Sequence, residues 1–160
     1  MTFDPSEFLN KTVEGVLDTK LIPVPENMSE EGYQAEIIKV DVRSWVKRDD
    51  SSVSGLAADI QWEIQDEAVK THCGRDKVTC KQGLMLDLTE SGDLDMGKGK
   101  NIDLGKLRTV LNQNQKGVPW AFSMLEGQMA KIFVSHRFGD EPDADGELPV
   151  YAEVKRVGKL

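Results

Sequence analysis

The chain has 160 residues, a formal net charge of −8 and no apolar stretch long enough for a membrane-spanning helix. This length predicts one domain that buries a sizeable core without disulfides or a metal. The acidic amino terminus is unlike a secretion signal, so we expect a cytoplasmic protein without a membrane partner. The acidic excess also argues against a protein that binds nucleic acid over its whole surface.

Residues 1–32 are predicted to form an N-terminal arm outside the core. Asp4, Pro5 and Glu7 are typical of a helix start, and the apolar residues that follow predict a short amphipathic helix. The prolines between Leu21 and Pro25 favour an extended segment, because each one restricts the residue before it. Such an arm would cap the domain or mediate self-association, and the pattern favours neither.

Two long strands are predicted next. In the first, Tyr33 to Lys47, the apolar residues occupy odd positions up to Ile37 and even positions from Ile38 onwards. A change of phase inside a strand indicates a β-bulge, where one residue has no pairing partner. The second strand, Gly55 to Glu67, alternates regularly, so one face is predicted to be buried. A polar connection is expected from about Asp66 to Asp76.

The rest of the domain is predicted to contain three strands and a helix. The third strand, Val78 to Leu88, has mostly apolar even positions. After a Gly-rich loop, apolar residues at steps of three and four predict one helix between about Asn101 and Asn114. The last two strands are predicted at Gln128 to Phe138 and at Leu148 to Val157.

This order predicts a mainly β fold, the five-stranded OB-like Greek-key barrel, over residues 33–160. Its one helix lies between strands three and four, and oligonucleotides bind such barrels across the second and third strands. The bulge predicted in the first strand suits the strong bending that a small barrel requires. Sandwiches show the same alternation and are the alternative.

Catalytic and metal sites are not predicted. The sequence contains no hydrolase, metalloprotease or P-loop motif, and its two histidines, His72 and His136, are each expected to be a strand or loop residue rather than a general base. His72, Cys73 and Cys80 are one ligand short of a closed zinc site and lack the CxxC spacing, which favours buried free thiols. We therefore expect no enzyme activity, no cofactor and no metal.

The loop Met96 to Asn101, MGKGKN, has two possible interpretations. Flexible glycines, two lysines and a helix amino terminus together are typical of a phosphate-binding corner. The loop lacks the P-loop spacing and the Ser or Thr that follows it, so a solvated loop is an equal alternative.

The charge is unevenly distributed along the chain. Residues 68–138 contain 11 Lys and Arg against 7 Asp and Glu, while the remainder contains 9 against 21. A basic middle in an acidic chain suits a protein that binds an anion on one face. Single strands need cations for the phosphates and rings on which bases stack. The residues predicted to contact DNA are Arg43, Trp45, Lys47, Lys77, Lys81, Lys131, Phe133 and Arg137.

The aromatic residues divide between the two faces of the predicted strands. Trp45 is the strongest candidate for base stacking, because its phase is opposite to that of its valine neighbours; the alternative is packing against the arm. Phe133 is the second candidate, whereas Trp62 lies in the core phase and is predicted to be structural. Asp59 and Glu63 on the second strand count against a strongly basic groove.

Three stretches resemble small phage-encoded proteins of replication and recombination gene clusters, among them OB-fold single-stranded DNA-binding proteins. They are YQAEI, KQGLMLDLTESGDLDMGKGKNIDLGKLRTVL and YAEVKRV, within residues 32–157. The resemblance implies non-specific coating of single-stranded DNA in the host cytoplasm, with replication or recombination proteins or further copies of the chain as partners. Many such proteins end in an acidic recruiting tail, whereas Lys155 to Leu160 is basic, which puts that recruitment in doubt.

Two other classes of function fit the same composition. A protein-interaction or virion-assembly module would bind a polypeptide and show no affinity for DNA at low salt. An acidic mimic of DNA would bind a basic protein partner.

Overall fold

In a computed structural model, which describes residues 2–26 and 30–160, five strands form a closed ring. They pair in the order β1-β2-β3-β5-β4, and β4 pairs back with β1. All neighbours are antiparallel except β3 and β5, which are parallel and share a single bridge, Lys81 with Glu153. The prediction of a mainly β fold with five strands is confirmed. The strands are β1 (Tyr33–Val46), β2 (Ser54–Ile64), β3 (Thr79–Met85), β4 (Met129–Phe138) and β5 (Val150–Gly158).

Short helices connect the strands. The predicted helix after the third strand is α3 (Ile102–Val110), which follows α1 (Pro5–Leu9) and α2 (Glu67–Cys73) in the chain. A single 3-10 turn, Phe122–Leu125, precedes β4. None of the helices in the described part of the chain has the length and apolar character needed to cross a membrane.

The polar connection predicted from about Asp66 to Asp76 contains a helix, α2, which the sequence pattern did not predict. The Asp66 carboxylate caps this helix by accepting from the backbone N–H groups of Ala68 and Val69. Gly74, in the left-handed conformation, ends it. Only Val69 and Cys73 are buried, and two apolar residues are too few for helical periodicity to reveal the element.

The bulge predicted in the first strand is confirmed. The pairing of β1 with β2 shifts between Ile37, which faces Trp62, and Lys39, which faces Gln61. Before the shift the odd positions are buried, and after it Lys39, Asp41 and Arg43 are exposed. The bulge therefore places Arg43 and Trp45 on the outer side of the ring. Val42 and Val46, predicted to lie in the core phase, are 47% and 58% exposed, so that part of the prediction is wrong.

Trp62 lies at the centre of the core and is fully buried. Its neighbours across the sheet are Ile37 on β1 and Cys80 on β3. The indole N–H donates to Oε1 of Gln82 over 3.0 Å, so the buried ring nitrogen has a hydrogen-bond partner. The prediction that Trp62 is structural is confirmed. Other large buried side chains are Tyr33, Ile37, Ile60, Ile64, Leu107, Leu125 and Ile132.

The arm predicted over residues 1–32 is attached to the domain along its second half, where Nζ of Lys20 lies 3.4 Å from Oδ2 of Asp143. Val24 is buried, and its carbonyl oxygen lies 2.6 Å from Nε2 of His136. The hydroxyl of Tyr33 donates to the carbonyl of Pro25 over 2.7 Å. Helix α1 has no buried residue, so the first part of the arm contributes little to the core. Residues 1 and 27–29 of the predicted arm lie outside the described part.

Cys73 and Cys80 are buried free thiols, as predicted. Burial, reinforced by the Glu153 carboxylate, raises the pKa of Cys80 from 9.0 to about 12. Because the thiolate is the reactive form, Cys80 in the folded protein should react with iodoacetamide about 1,000-fold more slowly than an exposed thiol at pH 8. Timed labelling followed by mass spectrometry measures this rate, with the protein in urea as the control. Equal rates in buffer and in urea would show that the thiol is accessible.

Candidate nucleic-acid interface

The strand order divides the eight predicted DNA-contacting residues between two outer faces of the ring. Arg43, Trp45 and Lys81 lie on the β1–β3 face, the outer surface of β1, β2 and β3; Lys47 follows β1, and Lys77 precedes β3. The other three lie on the β4–β5 face, the outer surface of β4 and β5, and are Lys131, Phe133 and Arg137. The two faces meet at the single bridge between β3 and β5.

Acidic neighbours balance the cations of the β1–β3 face. Nε of Arg43 donates to Oδ2 of Asp59 over 2.7 Å, and Nζ of Lys77 lies 3.8 Å from Oε2 of Glu63. Exposed pairs of this kind contribute at most about 1 kcal/mol to stability, but they cancel the local field that would attract a phosphate. Lys81 is the one predicted cation that makes no ion pair among the described residues.

Trp45 is half-buried and lies across Gly55, its partner on β2. A Cβ atom at position 55 would lie 2.8 Å from Cζ2 of Trp45, so the ring rests directly on the strand. The indole Nε1 is buried and has no partner among the described residues. One face of the ring is therefore covered by β2, which leaves Trp45 less surface for a base than its outward phase predicts.

The β4–β5 face carries two pairs of cationic and aromatic side chains. Arg156 faces Phe133 across the strands, and its guanidinium lies 3.7 Å from the ring centroid. Arg137 faces Tyr151 and lies 5.0 Å from that ring. Phe133 and Arg137 are four residues apart on β4, so the pairs are separated by roughly 13 Å. Guanidinium groups backed by rings are flat cationic surfaces on which bases stack.

Carboxylates accompany two predicted cations of the β4–β5 face. Nε of Arg137 lies 3.4 Å from Oε2 of Glu153, and Nζ of Lys131 lies 3.9 Å from Oε2 of Glu31. Both pairs are exposed or half-exposed and their geometry is loose, so a phosphate can compete for either cation.

Three further cations, which the sequence argument did not select, lie beside this face. They are Lys106 on α3 and Lys155 and Arg156 on β5, and none forms an ion pair among the described residues. By contrast, five of the six predicted cations are paired with carboxylates. The sequence signals were Lys106 in α3 and the basic C-terminal run, but only the packing of α3 on β5 brings them together.

The MGKGKN loop is fastened to the end of β3. Asn101 occupies the N-cap position of α3, yet its side chain makes no capping bond to the helix. Instead its Oδ1 accepts from the backbone N–H of Asp87, and its Nδ2 donates to the carbonyls of Asp87 and Asp95. These bonds fix the point where the loop enters α3, while Lys98 and Lys100 are exposed. The proposed phosphate contact of this loop stays a prediction.

Comparisons of the chain with protein-family models, with curated proteins and with solved structures found no match. The resemblance to phage single-stranded DNA-binding proteins therefore stays a prediction. Function has to be argued from the side chains of the two faces, because one fold supports many activities.

Proposed function

We propose that the protein is an OB-fold protein that binds single-stranded DNA non-specifically and without catalysis, in phage replication or recombination. The strand order, with α3 between β3 and β4, supports the fold assignment. The parallel contact of β3 with β5 supports it as well, since it closes a sheet whose other neighbours are antiparallel.

The observation that carries the binding proposal is the pairing of rings with cations on the β4–β5 face, next to unpaired basic residues. Arg156 over Phe133 and Arg137 over Tyr151 provide two stacking positions. Lys106, beside them, provides positive charge that no carboxylate among the described residues cancels. A single strand needs these two kinds of group together.

The bound strand would follow the β4–β5 face towards α3. Its bases would stack on the two ring and guanidinium pairs, and its phosphates would contact Lys131, Lys155 and Lys106. The β1–β3 face, with Arg43 and Trp45, would make the weaker contacts, since its cations other than Lys81 are already paired with carboxylates.

A salt series tests this proposal. Fluorescence anisotropy with labelled oligothymidine should give a Kd that rises linearly with salt on logarithmic axes, with a slope of roughly 2 to 4 from three to five phosphate contacts. A duplex of the same length should bind more weakly, because its bases are not free to stack. No affinity at low salt, or affinity independent of salt, would contradict the proposal.

The exposed arm favours a second candidate, a protein-interaction or virion-assembly module. Phe3, Val16 and Leu17 are 84%, 99% and 85% exposed, which is unusual for large apolar side chains in one segment. Such an arm suits a polypeptide partner, whether a replication or recombination protein or another copy of the chain. Absence of DNA binding in the salt series would favour this candidate over the first.

A further inference from the structure

A small cleft opens where β3 and β5 separate. The two strands are bridged only between Lys81 and Glu153, and beyond that point α3 packs against the gap. The cleft has a volume of about 150 Å³ and lies between all three elements. Small-molecule sites usually measure roughly 300–1,000 Å³, so this cleft suits a single compact group rather than a whole nucleotide. Its polar lining residues are Gln82, Asp103, Lys106, Lys155 and Arg156.

The charge lining the cleft is predominantly positive. Lys106, Lys155 and Arg156 face one carboxylate, that of Asp103. No ion pair among the described residues involves any of these four side chains. In a chain of net charge −8, three cations left together without carboxylate partners form a site for an anion.

Gln82 adds a hydrogen-bond donor to the lining of the cleft. The residue is 9% exposed, and its side-chain oxygen accepts from the indole N–H of Trp62. Because an indole N–H can only donate, this bond fixes the orientation of the Gln82 amide. The amide nitrogen then has no partner among the described residues. This nitrogen is not among the fully buried atoms that lack a partner, so it is accessible and can donate to an anion in the cleft.

We propose that this α3–β5 cleft binds one phosphate group of a DNA strand. Phosphate oxygens would accept from the Gln82 amide, the Lys106 ammonium and the Arg156 guanidinium, all donors that phosphate prefers. Asp103 would weaken the site by repulsion. The assignment of the phosphate to single-stranded DNA rests on the proposed function, whereas the affinity of the cleft for phosphate does not.

The indole of Trp62 reports directly on the cleft. The indole is fully buried, and its N–H donates a hydrogen bond to Gln82. Its N–H resonance should therefore shift when the Gln82 amide nitrogen gains an acceptor, and it should not respond to ligands bound elsewhere. Titration with inorganic phosphate, followed by ¹⁵N–¹H NMR, is expected to shift this signal and the side-chain NH₂ signal of Gln82. Sodium chloride at matched ionic strength is expected to leave both in place.

Variants link the shift to the lining residues. Lys106→Gln and Arg156→Gln should each weaken phosphate binding roughly tenfold, and Asp103→Asn should strengthen it. Lys116→Gln is the matched control, because Lys116 is exposed and does not line the cleft. If Lys106→Gln and Lys116→Gln bind phosphate with equal affinity, the proposed site is wrong. It is also wrong if the Trp62 signal does not shift at saturating phosphate.

Three forms of oligothymidine identify which phosphate of the DNA binds in the cleft. One carries a 5′ phosphate, one a 3′ phosphate and one neither. Equal Trp62 shifts with all three would assign an internal phosphodiester, and a shift with only one phosphorylated form would assign that terminus. If DNA binds and the Trp62 N–H signal does not shift, the cleft is not part of the DNA site, and the proposed function still stands. A shift with phosphate and no binding of any oligonucleotide would overturn the single-stranded DNA assignment and leave a phosphate site.

Discussion

Replacing Trp62 by alanine is expected to lower the free energy of unfolding by about 3–5 kcal/mol. The side chain is fully buried between Ile37 and Cys80 in the sheet, so its removal leaves a cavity at the centre of the ring. It also removes the donor to Gln82, whose oxygen would remain buried without its partner. Domains of this size have a total stability of about 5–15 kcal/mol, so the variant should be marginally folded.

Urea unfolding followed by circular dichroism measures this loss, since tryptophan fluorescence would change with the substitution itself. Trp62→Phe separates the two causes: it keeps most of the apolar volume and loses only the hydrogen bond, so its loss should be clearly smaller. Trp120→Ala is the control at a half-buried tryptophan, and it should cost less than Trp62→Ala. A loss under about 1 kcal/mol for Trp62→Ala would contradict the central position of this residue.

Replacing Phe133 by alanine is expected to weaken the binding of oligothymidine roughly 5- to 150-fold. Stacking contributes about 1–3 kcal/mol per base, and Phe133 holds in place the guanidinium of Arg156, on which the base would stack. Anisotropy titration at one low salt concentration measures the change. The salt dependence should alter little, because the variant removes a ring and no charge.

Two further variants make the Phe133 result specific. Phe133 is half-buried and lies close to Gly32 and Gly158, so Phe133→Leu keeps the apolar contact and removes only the aromatic face. It should lose affinity nearly as much as the alanine variant while unfolding like the wild type. Trp45→Ala, on the β1–β3 face, should change affinity less than Phe133→Ala. A larger loss of affinity for Trp45→Ala than for Phe133→Ala would indicate that the DNA binds the β1–β3 face instead.

Local patterns were enough to predict most strands and α3. The regular alternation from Leu56 to Ile64 predicts β2, and the change of phase at Ile37 and Ile38 locates the bulge. Leu104 and Leu107, three residues apart, predict the buried side of α3. Each signal lies within one element, so its detection requires no knowledge of the neighbouring strands.

The pairing of charges could not be predicted in this way, since it depends on which strands become neighbours. The carboxylate beside Arg43 comes from Asp59 on another strand, and Lys106 and Arg156, 50 positions apart in the sequence, line one cleft only because α3 packs on β5. Trp45 shows the same limit. Its phase correctly predicts the outer side, but the glycine opposite it decides that the ring lies flat on β2.

The position of the bound DNA is tested most directly by ultraviolet crosslinking of oligothymidine to the protein. Mass spectrometry then identifies the crosslinked peptides. We predict crosslinks at Phe133 on β4 and at Tyr151 on β5, with few or none at Trp45. Crosslinks confined to Trp45 and the β1–β2 hairpin, under conditions where the DNA is bound, would contradict this prediction.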